Sequence, residues 1–420
     1  MSINYLTALS LTVGIFVGVI TSTQVLAADT KIHGIVDVRA SSTNTSHSYL
    51  DGGQGKFANN NGNHVSLAQA GLEISVITDS GFSGHLVANG YINGHANHGG
   101  LTELYIKYKS LPNSAGYRFE NRTGMIYPNI SLENKAYAWA SIDTLNSSTL
   151  NTWIGEEIRV LGSEFTLTKL GNVQNHNYDL SFSATIFSHN DPAGAMLAWH
   201  GWTQSSQQTI WPQQLKIPAF PGRFQANNNL HNQAPYSEPY LELDHSLGEH
   251  FRAEIRIHHQ GELSIGYYNN NAKPYIIVSG QWGWHTQFYH AGLTWRLPMG
   301  MHLTAQYLSG KLLMQDTAKQ DLVNNTFGNE FISVSKRWQQ HQITARVEHF
   351  WVRDHDNSLG DNNNDSGNAL TLNYRYRVSN PLYLSVEYNW INSDRPAHAY
   401  AGLANQLTEQ QWQVALRYFF

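Results

Sequence analysis

The chain ends in the sequence QQWQVALRYFF, residues 410–420, and this stretch decides the fold. Alternate side chains on one face are large and apolar, and the opposite face is mostly polar. The apolar face consists of Trp412, Val414, Leu416, Tyr418 and Phe420, and the other face of Gln411, Gln413, Ala415, Arg417 and Phe419. This alternation predicts a β-strand. Because the apolar face runs to the last residue, the pattern is typical of a strand that faces lipid in a transmembrane barrel.

Three residues of this face, Leu416, Tyr418 and Phe420, resemble the C-terminal signal of Gram-negative outer-membrane barrels. In those proteins the signal is recognised by the barrel-assembly machinery. The resemblance implies that the chain is inserted into the outer membrane by that machinery. The alternation alone also fits a soluble β-sandwich.

The opposite end of the chain predicts export. Residues 6–26 are mostly apolar, and Val25-Leu26-Ala27 is a small-residue cleavage site, so residues 1–27 are predicted to be a signal peptide. An uncleaved membrane helix of about 20 apolar residues is the alternative. We therefore expect residues 28–420 to form the mature protein in the outer membrane.

The composition is that of a barrel rather than of a helical membrane protein. The chain has 41% hydrophobic residues and no cysteine, and its mean hydropathy is −0.40. A barrel exposes only alternate residues to lipid, so its average hydropathy resembles that of a soluble protein. The net charge of −5 gives no basic surface for nucleic acid.

Short and long connections alternate along the chain and predict an all-β, antiparallel barrel of about sixteen strands. Short turns are expected at residues 79–81, 111–116, 170–176, 246–250, 298–300, 339–341 and 379–381. Long loops are expected at residues 41–64, 93–100, 127–156, 189–236, 260–284, 314–328, 354–367 and 393–410. Long external loops and short periplasmic turns are usual in outer-membrane barrels. An extra hairpin at residues 195–203 would raise the count to eighteen.

Several stretches are more specific than general barrel patterning. They are GMIYP at 124–128 with SLEN at 131–134, NTWIGEEIR at 151–159, DNNNDSG at 361–367 and SDRP at 393–396. Together they resemble a porin-like family of proteobacterial outer-membrane β-barrels, which is distantly similar to the phosphate-selective porins. The resemblance implies a passive channel and a homotrimer, and it supplies no substrate.

Charged residues on inward strand positions indicate how such a channel would select solutes. The arginines expected to line it are Arg118, Arg122, Arg159, Arg252, Arg256, Arg346, Arg375 and Arg377. Carboxylates interleave with them, as in Arg252-Ala253-Glu254, so we expect weak selectivity for small polar solutes. An anion-selective, phosphate-like channel would need uncompensated cations along its path. It remains an alternative.

The third external loop, residues 127–156, is expected to fold into the lumen. It is rich in apolar residues that an exposed loop would leave in water. We expect Glu133, Asp143, Glu156 and Glu157 to narrow the pore opposite a wall containing Arg118, Arg122 and Arg159. A loop that caps the barrel or makes trimer contacts is the alternative.

A second function class is a non-conducting binding or adhesion barrel whose long loops, residues 41–64 and 189–236, do the work. An open lumen favours a channel, and loops packed through its full height favour binding. The sequence has no G-x-S-x-G, H-E-x-x-H or P-loop motif, so no enzyme and no cofactor is expected.

No metal site is expected either. The histidine pairs at 95 and 98, at 258 and 259, and at 285 and 290 are interpreted as solvated. The acidic loop 354–361 has Leu359 where an EF-hand needs glycine. The other expected partners are outer-membrane lipid and lipopolysaccharide.

Overall fold

Sixteen antiparallel strands close into one barrel in the computed structural model, each hydrogen-bonded to its neighbours in chain order. The structure describes residues 28–94 and 98–420. The predicted signal peptide and His95 lie outside the described residues. The strands are β1 Ala28–Thr43, β2 Gly62–Thr78, β3 Phe82–Ile92, β4 His98–Lys109, β5 Tyr117–Ile126, β6 Val160–Lys169, β7 Tyr178–Ser188, β8 Gly248–Ile257, β9 Gly261–Asn269, β10 His285–Leu297, β11 Met301–Gln315, β12 Asp321–Trp338, β13 His341–Asp354, β14 Asp365–Arg377, β15 Leu382–Asp394 and β16 Gln406–Phe419. The predicted barrel class and strand count are confirmed.

Helices are short and lie in the loops. The α-helices are α1 Thr149–Glu157, α2 Ala195–His200 and α3 Pro221–Phe224. Single 3-10 turns cover Tyr49–Asp51, Tyr137–Trp139, Gly171–Gln174, Asn229–Asn232, Pro298–Gly300 and Pro396–Ala401. Two-residue ladders pair Leu215–Lys216 with Tyr236–Ser237, and Ile277–Val278 with Gln281–Trp282. No helix of the described residues is long and apolar enough to cross a membrane.

The last strand closes the barrel. Its pairing with β1 runs from Ile35 opposite Phe419 to Thr43 opposite Gln411. Beyond it, the Gly34 amide donates to the Phe420 carbonyl at 2.9 Å, and the Phe420 amide donates back at 3.1 Å. A Cβ atom on Gly34 would lie 2.4 Å from the Phe420 ring, so only glycine accommodates this ring. The seam therefore depends on the apolar end of the chain.

The outer face is apolar, as the alternation predicts. In the C-terminal strand and the residue after it, Leu416, Tyr418 and Phe420 are 48%, 45% and 47% exposed. The inward neighbour Arg417 is 2% exposed. An apolar outer face with a polar inner face is the arrangement that a lipid bilayer requires of a barrel.

Two strand predictions were wrong although the count was right. The expected loop at 189–236 and turn at 246–250 imply a strand at 237–245, but residues 189–247 form one long loop between barrel strands. The expected loop at 260–284 instead begins with a barrel strand, Gly261–Asn269. Carboxylates explain the difference, because Glu242 accepts from the His245 amide at 2.7 Å and Asp244 from the Ser246 amide at 2.7 Å. Such local bonds compete with a strand ladder. The possible hairpin at 195–203 contains helix α2, so the eighteen-strand alternative was also wrong.

Loops fill the outer half of the barrel, the end from which the long loops emerge. A buried apolar core joins the loop containing α1 and the loop containing α2 to the inner wall. At its centre, the Trp153 ring makes edge contacts with Phe288 and Phe327 of the wall and with Trp202. Because of this core, the outer half of the barrel interior is filled by loops and is not an open tube.

Candidate functional site

Near the short turns, a group of inward polar side chains on β2–β9 is half-buried or exposed, whereas inward side chains of the opposite wall are buried. We call the region beside β2–β9 the vestibule. Its polar residues are Glu73, His85, Glu103, Tyr105, Lys107, Arg118, Glu120, Arg122, Glu254, Arg256 and Glu262. Both signs of charge are present, so the vestibule suits hydrated solutes of either sign.

Most vestibule charges are paired across neighbouring strands. The Arg122 guanidinium binds the Glu164 carboxylate at 2.7 and 3.0 Å, and the Lys107 ammonium lies 2.8 Å from Glu120. Arg256 contacts Glu262 at 3.0 Å. Pairing leaves little uncompensated positive charge, whereas strong anion selectivity needs an unbalanced row of cations.

The outer half of the lumen is packed on all sides. Inward side chains there are buried, and Gln69 and Asn89 on one wall and Arg346 and Asn389 on the opposite wall are each at most 2% exposed. The loops are therefore packed through much of the lumen, and the vestibule beside β2–β9 is less filled. An open lumen would favour a channel, and loops packed through the full height would favour a binding barrel. The structure lies between these two cases.

One buried arginine attaches the third loop to the wall. Arg346 of β13 is fully buried and lies 2.5 Å from Glu133 and 2.8 Å from Glu348. It also donates to the backbone carbonyls of Asn146 at 3.2 Å and Ser147 at 2.9 Å. Arg346 thus braces the loop, and in this structure it does not face open water.

The loop carboxylates were expected to face Arg118, Arg122 and Arg159, and the structure gives them other partners. Glu133 contacts Arg346, Asp143 accepts from Gln342, Glu156 contacts His200, and Glu157 accepts from loop amides and the Trp153 indole. The prediction that these carboxylates face Arg118, Arg122 and Arg159 was therefore wrong. The third loop crosses the lumen, so its carboxylates reach the opposite wall or the loop that follows β7.

The predicted channel arginines divide by exposure. Arg118, Arg122, Arg256, Arg375 and Arg377 are half-buried or exposed, and Arg159, Arg252 and Arg346 are buried. The Arg159 guanidinium donates to the Thr209 carbonyl and lies 5.1 Å from the centre of the Tyr240 ring. The structure therefore brings only the first group to water.

Glu157 joins the third loop to the loop that follows β7. Its carboxylate accepts from the amides of Gly194 at 3.1 Å and Met196 at 3.0 Å, and from the Trp153 indole at 2.6 Å. Burial raises the pKa of Glu157 to about 7 from 4.5, and neighbouring Glu156 adds to the rise. The folded state therefore favours the protonated acid.

This raised pKa predicts a pH dependence of the loop contact. The contribution of Glu157 to stability is complete below pH 4.5 and is lost as the pH rises through about 7. Tryptophan emission, recorded from pH 4 to 9, should shift with a midpoint near pH 7, since Trp153 bonds directly to Glu157. Glu157→Gln should flatten the curve, and Glu238→Gln should leave it unchanged. An unaltered midpoint in E157Q would contradict the assignment.

A route of polar side chains runs along the wall of β2 to β6, between the third loop and the strands. We call it the polar strip. It consists of Gln69, Asn89, Tyr91, Thr102, Tyr127, Glu156, Arg159 and Gln208. Asn89 receives a bond from Gln69 at 2.8 Å and donates to Gln208 at 2.8 Å. The strip thus joins strand and loop side chains into one network.

The strip reaches the vestibule at its lower end. The Tyr127 amide donates to Glu103 at 3.0 Å, and its carbonyl accepts from Arg122 at 2.9 Å. The Ala138 carbonyl closes the strip at mid-height by accepting from Gln69 at 2.9 Å.

Several buried atoms of the strip have no hydrogen-bond partner within the described part of the chain. They are Gln69 Oε1, Arg159 Nε and Gln208 Nε2. Buried polar groups are almost always satisfied by protein or by ordered water. Such atoms also occur on the opposite wall, as at Asn329 Oδ1 and Gln413 Nε2, so we expect ordered water to satisfy them throughout the buried lumen.

The sequence did not single out the neutral residues of the strip. Gln69 of β2 and Asn89 and Tyr91 of β3 occupy inward positions, but nothing in the sequence distinguishes them from other inward residues. Gln208 comes from the long loop after β7, whose path no periodicity predicts. The alternation of each strand predicts only that these strand residues face inward.

One acidic cluster in the described ranges has carboxylate oxygens close enough to share a cation. It consists of Asp191, Glu242 and Asp244, with ligand atoms within 4.8 Å of one another. Glu242 and Asp244 lie in the loop before β8. They therefore do not line the lumen wall.

Comparison with known proteins supports the fold. No family model and no curated protein matches the chain. The outer membrane channel DcaP of Acinetobacter baumannii is similar with a TM-score of 0.56 and 11% identity, covering 95% of this chain and 99% of that one. An anion-selective porin from Comamonas acidovorans has a TM-score of 0.50 and 12% identity, over 94% and 100% of the two chains. OmpT, an outer membrane protein of Vibrio cholerae in trimer form, has a TM-score of 0.50 and 7% identity, over 94% and 100%. The chain has the fold of outer-membrane porins.

Proposed function

We propose that the protein is an outer-membrane channel for passive diffusion of small hydrophilic solutes, rather than an enzyme. The observation that carries this proposal is the polar strip, which continues from the vestibule into the packed outer half as one hydrogen-bonded network of side chains. Amide and hydroxyl groups along this wall can exchange hydrogen bonds with a hydrated solute.

Weak charge selectivity follows from the vestibule. Its arginines, among them Arg118, Arg122 and Arg256, are interleaved with carboxylates, and the strip above is mostly amide and hydroxyl. Small neutral solutes and zwitterions should pass at similar rates, and larger ones should be excluded by the third loop. Glu156 lies on the strip, whereas Glu133 and Asp143 hold the loop that narrows it.

Liposome swelling tests this function directly. Vesicles containing the purified barrel should swell in isotonic glycine or glycerol faster than vesicles without protein, and much more slowly in a trisaccharide. Equal swelling in the small and large solutes would contradict a narrow route, and swelling no faster than in protein-free vesicles would contradict transport.

The position of the route can be tested by matched asparagine variants. Asn89→Leu places an apolar side chain in the strip and should lower the swelling rate in glycerol several-fold. Asn389→Leu makes the same change at an equally buried inward position of the opposite wall, outside the strip, and should keep the wild-type rate. Equal losses in both variants would show that the solute does not follow the strip.

The packed outer half favours a second candidate function, a non-conducting binding barrel. Inward side chains there are buried around the whole circumference, as Gln69 and Asn389 illustrate. In this account the long external loops bind a partner and the lumen only supports them. Conductance separates the two candidates, because only the channel passes current.

We propose that the assembled form is a homotrimer in outer-membrane lipid and lipopolysaccharide, inserted by the barrel-assembly machinery. One polar patch on the outer face supports a subunit contact. Thr123 of β5 lies 2.7 Å from Ser163 of β6 and donates to Asn121 at 3.1 Å. Polar groups of this kind favour a protein partner over lipid. Native mass spectrometry should find trimers, and Thr123→Leu should weaken them.

A further inference from the structure

Two cations lie close together on the outer face of the barrel, toward the long-loop ends of β11 and β13. Lys311 of β11 and Arg353 of β13 flank Thr326 of β12 in register, and both cations are exposed. The Arg353 guanidinium lies 5.0 Å from the centre of the Trp351 ring. Neither cation forms an ion pair within the described residues. Because lysine and arginine at a membrane surface bind phosphate-bearing headgroups, this pair offers a phosphate site at the lipid boundary.

An apolar groove lies on the same outer face, between the two cations and the short turns. Its volume is about 530 Å³. The apolar residues that line it are Leu263, Ala291, Leu293, Ala305, Ile332 and Val347. The two alanines leave space between larger neighbours, and such a surface packs well against hydrocarbon chains, which are as apolar as leucine.

A carboxylate lies between the cations and the apolar part of the groove. Glu330 of β12 is exposed and lies in register between Tyr307 and His349. Within the part of the chain that the structure describes, its carboxylate makes no hydrogen bond or ion pair. On a tilted strand Glu330 lies roughly 20 Å from the short-turn end, inside an apolar band of about 25 Å. Since a carboxylate without hydrogen-bond donors is costly in an apolar environment, Glu330 needs donors from its surroundings.

Lipid A, the membrane anchor of lipopolysaccharide, has the groups that this surface needs. Its sugar backbone carries phosphates, and its amide-linked acyl chains bear 3-hydroxyl groups. The phosphates can pair with Lys311 and Arg353, and the amide N–H and hydroxyl groups can donate to Glu330. A glycerophospholipid also carries a phosphate, but its ester-linked chains have no N–H or O–H donor at this depth. The carboxylate therefore favours lipid A over phosphatidylglycerol.

A second copy of the chain fits this surface less well. The polar patch that supports the subunit contact, at Thr123 and Ser163, lies on β5 and β6. In the closed barrel of sixteen strands, β12 is on the opposite side from β5 and β6. A subunit that docks at that patch leaves β11 to β13 facing lipid.

We propose that the outer face of β11 to β13 is a docking surface for lipid A. Lys311 and Arg353 bind its phosphates, Glu330 accepts from its amide or hydroxyl groups, and the groove holds an acyl chain. The inference deepens the proposed outer-membrane assembly and rests on it. It does not depend on conduction, so lipid binding and current are measured separately.

Native mass spectrometry of the purified full-length barrel tests this surface. The probes, added separately to delipidated protein in detergent, are bisphosphorylated lipid A and phosphatidylglycerol. Lipid A should form the stronger adduct. Lys311→Gln should weaken it several-fold, and adding Arg353→Gln should bring the loss to about tenfold, because the phosphates lose their charged donors. Lys336→Gln is the matched control, since Lys336 is an exposed lysine near the short-turn end of β12, and it should bind lipid A as the wild type does.

Glu330→Leu tests the carboxylate. The change makes the surface more apolar, so a surface that attracts any lipid should bind at least as well as before. If Glu330 accepts from lipid A, the variant should lose several-fold in lipid A binding and keep its binding of phosphatidylglycerol.

Several outcomes would overturn the lipid A surface. They are equal binding of the two lipids, no adduct with either, equal weakening in K311Q and K336Q, and unchanged lipid A binding in E330L. Loss of trimers in the K311Q/R353Q variant would show instead that β11 to β13 form a subunit contact. Heat-modified gel mobility establishes that each variant is folded. Current through a barrel with no preference for lipid A refutes only the docking surface, whereas lipid A binding by a barrel that passes no current refutes only the channel.

Discussion

Replacing Arg346 with alanine is expected to release the third loop and raise single-channel conductance several-fold. The change removes the cation that Glu133 and Glu348 share in a fully buried site. Breaking one partner out of a buried ion pair costs about 3–5 kcal/mol, because the remaining charges stay buried and uncompensated. The loop also loses its bonds from Arg346 to the Asn146 and Ser147 carbonyls. The barrel strands keep their own ladders, so the loop should give way first.

Arg377→Ala is the matched control, since Arg377 is an exposed arginine at the vestibule end of β14. It should leave the conductance close to that of the wild type. Limited proteolysis provides a second measurement, with new cleavage within residues 127–159 in R346A alone. Wild-type conductance together with wild-type protease resistance in R346A would show that Arg346 does not hold the loop.

Replacing Phe420 with aspartate is expected to lower the yield of assembled barrel at least tenfold. The Phe420 ring lies on Gly34 at the seam, and its backbone exchanges two hydrogen bonds with that glycine. A carboxylate there would face lipid and remove the apolar terminus that resembles the assembly signal of outer-membrane barrels. Membrane fractions should lose the fast-migrating unboiled band on gels, and periplasmic aggregates should accumulate.

Phe224→Asp makes the same chemical change in an exposed loop, where the ring is 68% exposed. This control should assemble normally. Gly34→Val should reproduce part of the F420D defect, because a branched side chain cannot fit beneath the terminal ring. Normal assembly of both F420D and G34V would show that the seam does not depend on this contact.

The barrel could be predicted because its lipid-facing surface repeats every two residues. The pattern in residues 410–420 is local and survives in the structure, with Trp412, Val414 and Leu416 on the outer face. The prediction was wrong at residues 237–245, where Glu242 and Asp244 bond to nearby amides. An alternating pattern does not reveal that a carboxylate will accept hydrogen bonds from nearby backbone amides and so replace the strand ladder.

The lumen could be predicted only in part. The inward parity of Arg122, Arg252 and Arg346 followed from the strands, but their partners depend on loops whose course is set by tertiary packing. Glu133 illustrates this, since its partner Arg346 lies 213 positions away in the chain. The apolar residues of the third loop predicted that it packs against the barrel interior. The sequence could not indicate which part of the wall it would contact.

Single-channel recording in planar lipid bilayers tests the central claim most directly. The purified, heat-modifiable barrel should insert and give discrete, ohmic current steps, with weak selectivity in a salt gradient. The wild-type steps should be small because the outer half of the lumen is packed, and R346A should enlarge them. A barrel that inserts fully, as shown by protease protection, and passes no current in either form would contradict the channel and leave the binding barrel as the account of its function.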